Sequence, residues 1–174
     1  VVSYVNPTAD VKAESDICCT WANALSVLES LEPERPVLFI PDRNLGGYLA
    51  QKTGRSIILW EGYCPIHQRL TPEEIAEARR LHPEAEVLVH PECDPQVVKL
   101  ADRVLGTTGM VKYVGESTGA EFIIGTESGL IHKLRSIYPA KRFFPAAEHL
   151  VCPNMKSINL EKIRDVLQTL APPV

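Results

Sequence analysis

Two cysteines, each followed by proline, stand 88 positions apart in this 174-residue chain: Cys64-Pro65 and Cys152-Pro153. Thiolates are the soft ligands that iron–sulfur clusters take, and a neighbouring proline is a frequent flank of such ligands. Two cysteines cannot complete a cubane, so a third is expected upstream of Val1. Zinc is the rival metal, but structural zinc sites favour C-x-x-C knuckles and the chain has none. His67, three residues beyond Cys64, could be a ligand to such a metal, but it is expected to be a solvated loop histidine. Cys18 and Cys19, inside an apolar run, read as small buried hydrophobes, and Cys93 as a bystander.

A second group of residues suits proton chemistry. His90 and Glu92 lie two apart at the end of an apolar run, so their side chains project to the same side. A histidine–carboxylate pair in a cleft suits proton transfer at carbon or nitrogen; a surface His-Pro-Glu turn is the competing reading. Tyr4 and Asn6 share that spacing and can hydrogen-bond a carboxylate substrate. Glycines at Gly46-Gly47, Gly106 and Gly125 are expected to open helices, where backbone N–H groups receive anions. No P-loop or dinucleotide fingerprint occurs.

The elements that must hold these residues follow from the apolar pattern. Short runs alternate with helical stretches, which predicts α/β architecture with parallel sheets. Strands are expected at Val1–Val5, Ile17–Cys19, Val37–Ile40, Ser56–Trp60, Glu86–Val89, Arg103–Leu105, Glu121–Ile124 and Arg142–Phe144. Thr71, Pro72 and Glu74 form a capping box that starts a helix to Leu81. Another helix spans Leu160–Leu170 and stops before Pro172-Pro173.

The two sets of four strands repeat. Val1–Asn6 lies over Val87–Glu92 and Asp16 over Asp102, at an offset of 86. Leu38-Phe39-Ile40 lies over Phe122-Ile123-Ile124 at 84, and the two Cys-Pro pairs close the units at 88. Periods of this length mean duplicated units rather than a solenoid of small repeats. The expected organisation is two similar three-layer αβα units, 1–65 and 66–152, with a C-terminal tail helix over 153–174. Ligands in such sheets collect beyond the carboxyl ends of the strands. Residues there are Tyr4, Asn6, Thr20 and Trp21 in one unit, and His90, Glu92, Gly106 and Thr107 in the other. Units that face one another would bring both Cys-Pro loops to one cleft.

Bulk properties narrow the field. The net charge of −4 gives no footprint for nucleic acid or an anionic membrane. No apolar run nears the ~20 residues that span a bilayer. Five cysteines, an odd number without compact spacing, favour a reducing, cytoplasmic setting. Val1–Val5 reads as a strand rather than a leader, so the chain is expected to be a piece of a longer protein.

Several motifs in fixed order resemble the quinolinate synthase family. They are Val1–Asn6, Ser15-Asp16-Ile17-Cys18-Cys19-Thr20, Pro41-Asp42-Arg43-Asn44-Leu45-Gly46 and Trp60-Glu61-Gly62-Tyr63-Cys64-Pro65. Further along come His90-Pro91-Glu92, Ile124-Gly125-Thr126-Glu127 and Cys152-Pro153-Asn154-Met155-Lys156. The resemblance covers almost the whole chain and implies the second and third domains of a pseudo-threefold array of three. It implies a 4Fe–4S cluster, with Cys64 and Cys152 as two of its three cysteine ligands. It implies condensation of iminoaspartate with dihydroxyacetone phosphate to quinolinate, for NAD biosynthesis, and a functional link to an aspartate oxidase. Glu92, His90 and Tyr4 then take catalytic roles, and Tyr4, Asn6, Trp21, His90, Glu92 and Thr107 touch substrate. The family places a serine where Trp21 stands here. Without the first domain, the chain by itself is expected to be inactive. A non-catalytic two-unit scaffold and a metal-free phosphate-binding domain are the alternative readings.

Overall fold

The computed structural model describes residues 1–170. The strands are β1 (Val2–Tyr4), β2 (Ile17–Cys19), β3 (Val37–Ile40), β4 (Ile57–Leu59), β5 (Glu86–Val89), β6 (Arg103–Val104), β7 (Glu121–Gly125) and β8 (Arg142–Pro145). Between them run α1 (Ala9–Ala13), α2 (Trp21–Glu29), α3 (Arg43–Thr53), α4 (Pro72–Leu81), α5 (Pro95–Leu100), α6 (Thr107–Glu116) and α7 (Gly129–Ile137). A 3₁₀ turn covers His67–Arg69. The strands form two four-stranded parallel sheets, ordered β2-β1-β3-β4 and β6-β5-β7-β8. Identical strand order in both is the expected duplication, and helices flank the sheets as α/β architecture requires.

One aspartate pins the first crossover of each unit. The Asp102 carboxylate accepts the Val87 N–H at 2.7 Å, and the Asp102 N–H donates to the Val87 carbonyl at 2.9 Å. Asp16 sits the same way against Val1, donating its N–H to the Val1 carbonyl at 3.1 Å with its carboxylate on the Val1 nitrogen. The offset of 86 is therefore a structural equivalence. The offset of 84 for the third strands is not. Val2 pairs with Phe39, whereas Leu88, its counterpart, pairs with Ile124. Phe39 therefore matches Ile124 at an offset of 85. A one-residue slip exchanges the faces of a strand, and core membership agrees: Phe39 packs with α2 and α3, Ile124 with α6 and α7.

Val2, Phe39, Ala24, Leu28, Leu45 and Leu49 form the core between the first sheet and α2 and α3. The second sheet is covered on both faces. Leu88, Phe122 and Ile124 meet α6 and α7, and Val87, Val89 and Ile123 meet Ile75, Ala78 and Val97 of α4 and α5. On the other face of the first sheet, Leu38 and Ile40 line a cavity with Val11 of the short α1, and Trp60 is exposed. Thr71 and Glu74 form the expected capping box of α4. The tail is two helices rather than one, α8 (Pro153–Lys156) and α9 (Leu160–Thr169), because the Asn159 side chain caps a new start by accepting the Lys162 N–H. Pro172-Pro173 lies outside the described residues. No described helix is long and apolar enough to cross a membrane.

Gly46 and Gly47 sit inside α3 rather than opening a helix. A Cβ on Gly46 would lie 2.6 Å from Leu59 Cδ2 and 2.9 Å from Phe39 Cδ1, whereas one on Gly47 meets nothing closer than 3.8 Å. Helix α3 can therefore approach the sheet only where residue 46 has no side chain. Gly46→Ala is expected to destabilise by ~1–3 kcal/mol through overpacking. Gly47→Ala should be neutral or stabilising by up to ~1 kcal/mol, since alanine favours helix interiors. Urea denaturation of the two variants decides this; equal effects would refute the close-approach role of Gly46.

Candidate functional site

The carboxyl ends of the central strands meet between the units. Cys64 and Cys152, both half-buried, line one cavity of about 430 Å³ together with Asn6, Asp42 and Asn154. Neither is in a disulfide. Each unit thus presents its Cys-Pro loop to a common space. Trp21 and Gly106, from the matching loops beyond β2 and β6, also meet: a Cβ on Gly106 would lie 2.4 Å from Trp21 Cδ1. The indole also meets Tyr48 in a tilted pair, with ring centroids 5.4 Å apart.

Matching carboxylates hold the two cysteine loops. Asp42, two residues beyond β3, caps α3 by accepting the Leu45 N–H at 2.8 Å. Its other oxygen accepts the Cys64 N–H at 2.7 Å. Glu127, two residues beyond β7, accepts the Gly129 N–H at 2.7 Å and the Cys152 N–H at 3.3 Å. The pair is related by the same offset of 85 that relates the third strands. Both are buried. Burial raises the Asp42 pKa, against the pull of those N–H groups. Burial also pushes Glu127 upward, but Lys156, 3.0 Å away, and the two N–H groups outweigh it and hold the carboxyl below its usual range.

Beside Cys64 lies a buried polar group. Glu92 and His90 are both 5% exposed, and the Glu92 N–H donates to His90 Nδ1 at 3.3 Å. His67 is not a solvated loop residue. The 3₁₀ turn after Cys64-Pro65 carries it inward, where its ring stacks on His90 with centroids 4.4 Å apart. His67 Nε2 lies 2.8 Å from Thr126 Oγ1, and Nδ1 lies 2.9 Å from Glu92 Oε2, out of line for a regular hydrogen bond. Asn44 of α3 crosses between units and donates to the Glu92 carbonyl at 3.0 Å and to Gln68 Oε1 at 2.8 Å.

The protonation states follow from these neighbours. Burial and the adjacent His67 push His90 down to about 4, so it is neutral near pH 7. Burial also opposes charge on His67, yet Cys64 and Glu92 outweigh it and raise its pKa to about 9. Burial would raise Glu92, but the charged His67 ring 2.9 Å away outweighs it and lowers the pKa, so the carboxylate is ionised. Tyr4, half-buried, has its pKa raised by burial first and by Glu92 second, so it keeps its proton. Of the other expected site residues, Asn6 reaches the cysteine cavity, whereas Thr107, the exposed first residue of α6, does not line it. Cys93 is a buried bystander that donates from Sγ to the Gly125 carbonyl at 3.5 Å, and burial raises its pKa. Cys19 is buried and pushed up to about 11, but Cys18 is exposed, because successive strand residues face opposite ways.

The family described as "Quinolinate synthetase A protein" matches residues 1–174. A "Quinolinate synthase" from Desulforudis audaxviator is 55% identical over 172 residues, covering 99% of this chain and 57% of the relative. One from Methanoregula boonei is 54% identical over 172 residues, with the same two coverages of 99% and 57%. One from Geobacter sp. strain M21 is 51% identical over 174 residues, covering 100% of this chain and 57% of the relative. The chain therefore spans somewhat more than half the length of the curated relatives it matches.

The stacked histidines impose opposite pH dependences. An unfolded chain binds a proton on His90 near 6.5, whereas the folded one binds it only near 4, so stability falls as pH drops through that window. The folded chain keeps the His67 proton up to about 9, where the unfolded chain has released it, so stability also falls as pH rises from 6.5 through 9. Urea midpoints are expected to peak between these limits, and His90→Asn should flatten the acid limb alone. An unchanged acid limb in that variant would refute the neutral state assigned to His90.

Proposed function

The chain belongs to the quinolinate synthase family, and on that footing we propose that it supplies two cysteine ligands and most of the proton-transfer group of a quinolinate synthase. Such an enzyme condenses iminoaspartate with dihydroxyacetone phosphate in NAD biosynthesis, in the cytoplasm. The observation that carries this reading is the meeting of both Cys-Pro loops at one cavity, with the buried Glu92, His90 and His67 beside Cys64.

The residues present fit a 4Fe–4S cluster as partial ligands. Cys64 and Cys152 offer unpaired thiols from separate loops to one space, and their backbone N–H groups are already held by Asp42 and Glu127. The third cysteine belongs to a further domain outside these residues. When bound, the cluster supplies an open iron that acts as a Lewis acid. The remaining roles fall to the chain. Glu92, ionised and buried, accepts protons from carbon or nitrogen as the condensation and ring closure proceed. His90, neutral, hydrogen-bonds substrate and passes protons without adding charge. Tyr4 keeps its phenolic proton and donates a hydrogen bond to a substrate carboxylate, helped by Asn6. Thr107, at the first turn of α6, suits a phosphate or carboxylate. Trp21 gives an apolar wall where the family has a serine hydroxyl. Because iminoaspartate is an oxidation product of aspartate, an aspartate oxidase is the natural supplier.

A chimera tests the reading, with residues 1–174 replacing the matching segment of the Desulforudis audaxviator relative. Quinolinate formation, iron and acid-labile sulfide are measured on each variant. Glu92→Gln should keep the cluster and lower turnover by at least ~10²-fold. Cys64→Ala and Cys152→Ala should lose iron and sulfide, whereas Cys18→Ala and Cys93→Ala should not. A normal cluster in Cys64→Ala would end the ligand assignment, and near-normal turnover in Glu92→Gln would remove that carboxylate from the reaction.

A further inference from the structure

Cys64 Sγ, a ring nitrogen of His67 and a carboxylate oxygen of Glu92 all lie within 4.8 Å of one another. Zinc holds such donors at ~2.0–2.3 Å, which in a tetrahedral site sets them ~3.3–3.8 Å from one another. The trio can share a cation once its widest separation closes by about an ångström. Thiolate, imidazole and carboxylate together are a donor set for zinc or a similar borderline-soft divalent ion.

Support around each donor points the same way. Ligating histidines usually donate their second ring N–H to an oxygen, which fixes the tautomer and frees the first nitrogen. His67 Nε2 has that oxygen in Thr126 Oγ1 at 2.8 Å. His67 Nδ1 is buried, has no aligned hydrogen-bond partner, and faces Glu92. Asp42 holds the Cys64 backbone N–H, and Asn44 holds the Glu92 carbonyl. A divalent ion would also cancel the two negative charges of thiolate and carboxylate, which burial otherwise penalises.

We infer that the cluster-free chain binds one thiophilic divalent cation at Cys64, His67 and Glu92. Zinc is the natural occupant, displacing the Cys64 and His67 protons and leaving its fourth position to water. Cys152 takes no part. The site uses one expected cluster ligand and the proposed proton acceptor, so zinc occupancy and cluster loading exclude one another.

The test is equilibrium dialysis of the 174-residue chain against zinc, with cobalt as a second probe for its thiolate charge-transfer absorption. Circular dichroism confirms the fold of each variant. About one zinc per chain is expected, with thiolate-to-cobalt absorption. Affinity should fall by more than ~100-fold in Cys64→Ser and in His67→Gln, and by ~10–100-fold in Thr126→Val, which removes only the outer hydrogen bond. Cys152→Ser should bind as the parent chain does. No zinc bound by the folded parent, or full affinity in His67→Gln, would overturn the site. Equal loss in Cys152→Ser would overturn it too, by assigning the zinc to the cysteine pair. Because no iron is loaded, none of these results depends on the cluster reading.

Discussion

One arrangement, made twice, carries the architecture: a buried carboxylate just beyond the third strand of each sheet clamps the backbone of the closing cysteine. Asp42 and Glu127 each accept one N–H from their own helix start and one from Cys64 or Cys152. The clamp joins segments 22 residues apart in one unit and 25 in the other. Each loop leaves the sheet after its fourth strand, and without the carboxylate the cysteine N–H would have no fixed partner. With it, both thiols are held at the edge where the units meet, so loop placement follows from strand placement. The cost is burial of two acidic side chains, offset by hydrogen bonds with charged acceptors, which are stronger than neutral ones.

A second layer crosses between the units. Asn44 of the first unit holds the Glu92 carbonyl of the second, and within that second unit His67 reaches Thr126, just beyond β7. Asn44 lies two residues beyond Asp42, and Thr126 lies one before Glu127. The residues that secure the cysteines are thus adjacent in sequence to those that secure the buried group of Glu92, His90 and His67. Neither set can shift without moving the other, which accounts for so much buried polar chemistry in a chain with small cores. The stacked histidines share this constraint: burial first, and the charge on His67 second, hold His90 neutral.

Much of this is legible in the sequence. Strand positions, the duplication, the α4 capping box and the meeting of the Cys-Pro loops all follow from local patterns that tertiary contacts reinforce. The third-strand offset went astray because Phe-Ile-Ile and Leu-Phe-Ile are apolar throughout; only side-chain alternation against a defined face fixes such a register. Cys18 was misplaced for a related reason, since an apolar edge strand does not reveal which face is covered. His67 was read as solvated because a loop histidine carries no pattern; its burial depends on a turn whose direction is set by Pro65 and by packing of Ile66 and Leu70 in the core. Asp42 and Glu127 left a usable trace, an acidic residue two places beyond the third strand in both units. The slipped offset hid it.

The contact of Trp21 with Gly106 bears on how such a chain can change over generations. The indole fills the volume that any side chain at position 106 would need. A mutation at 106 therefore meets an immediate barrier while Trp21 remains, whereas a smaller residue at 21 removes the obstacle and leaves a gap that position 106 can later fill. The two positions must be substituted in that sequence and not the reverse. Descent from a serine-bearing ancestor would run the other way, with glycine, or a backbone already clear of side chains at 106, in place before tryptophan arrived.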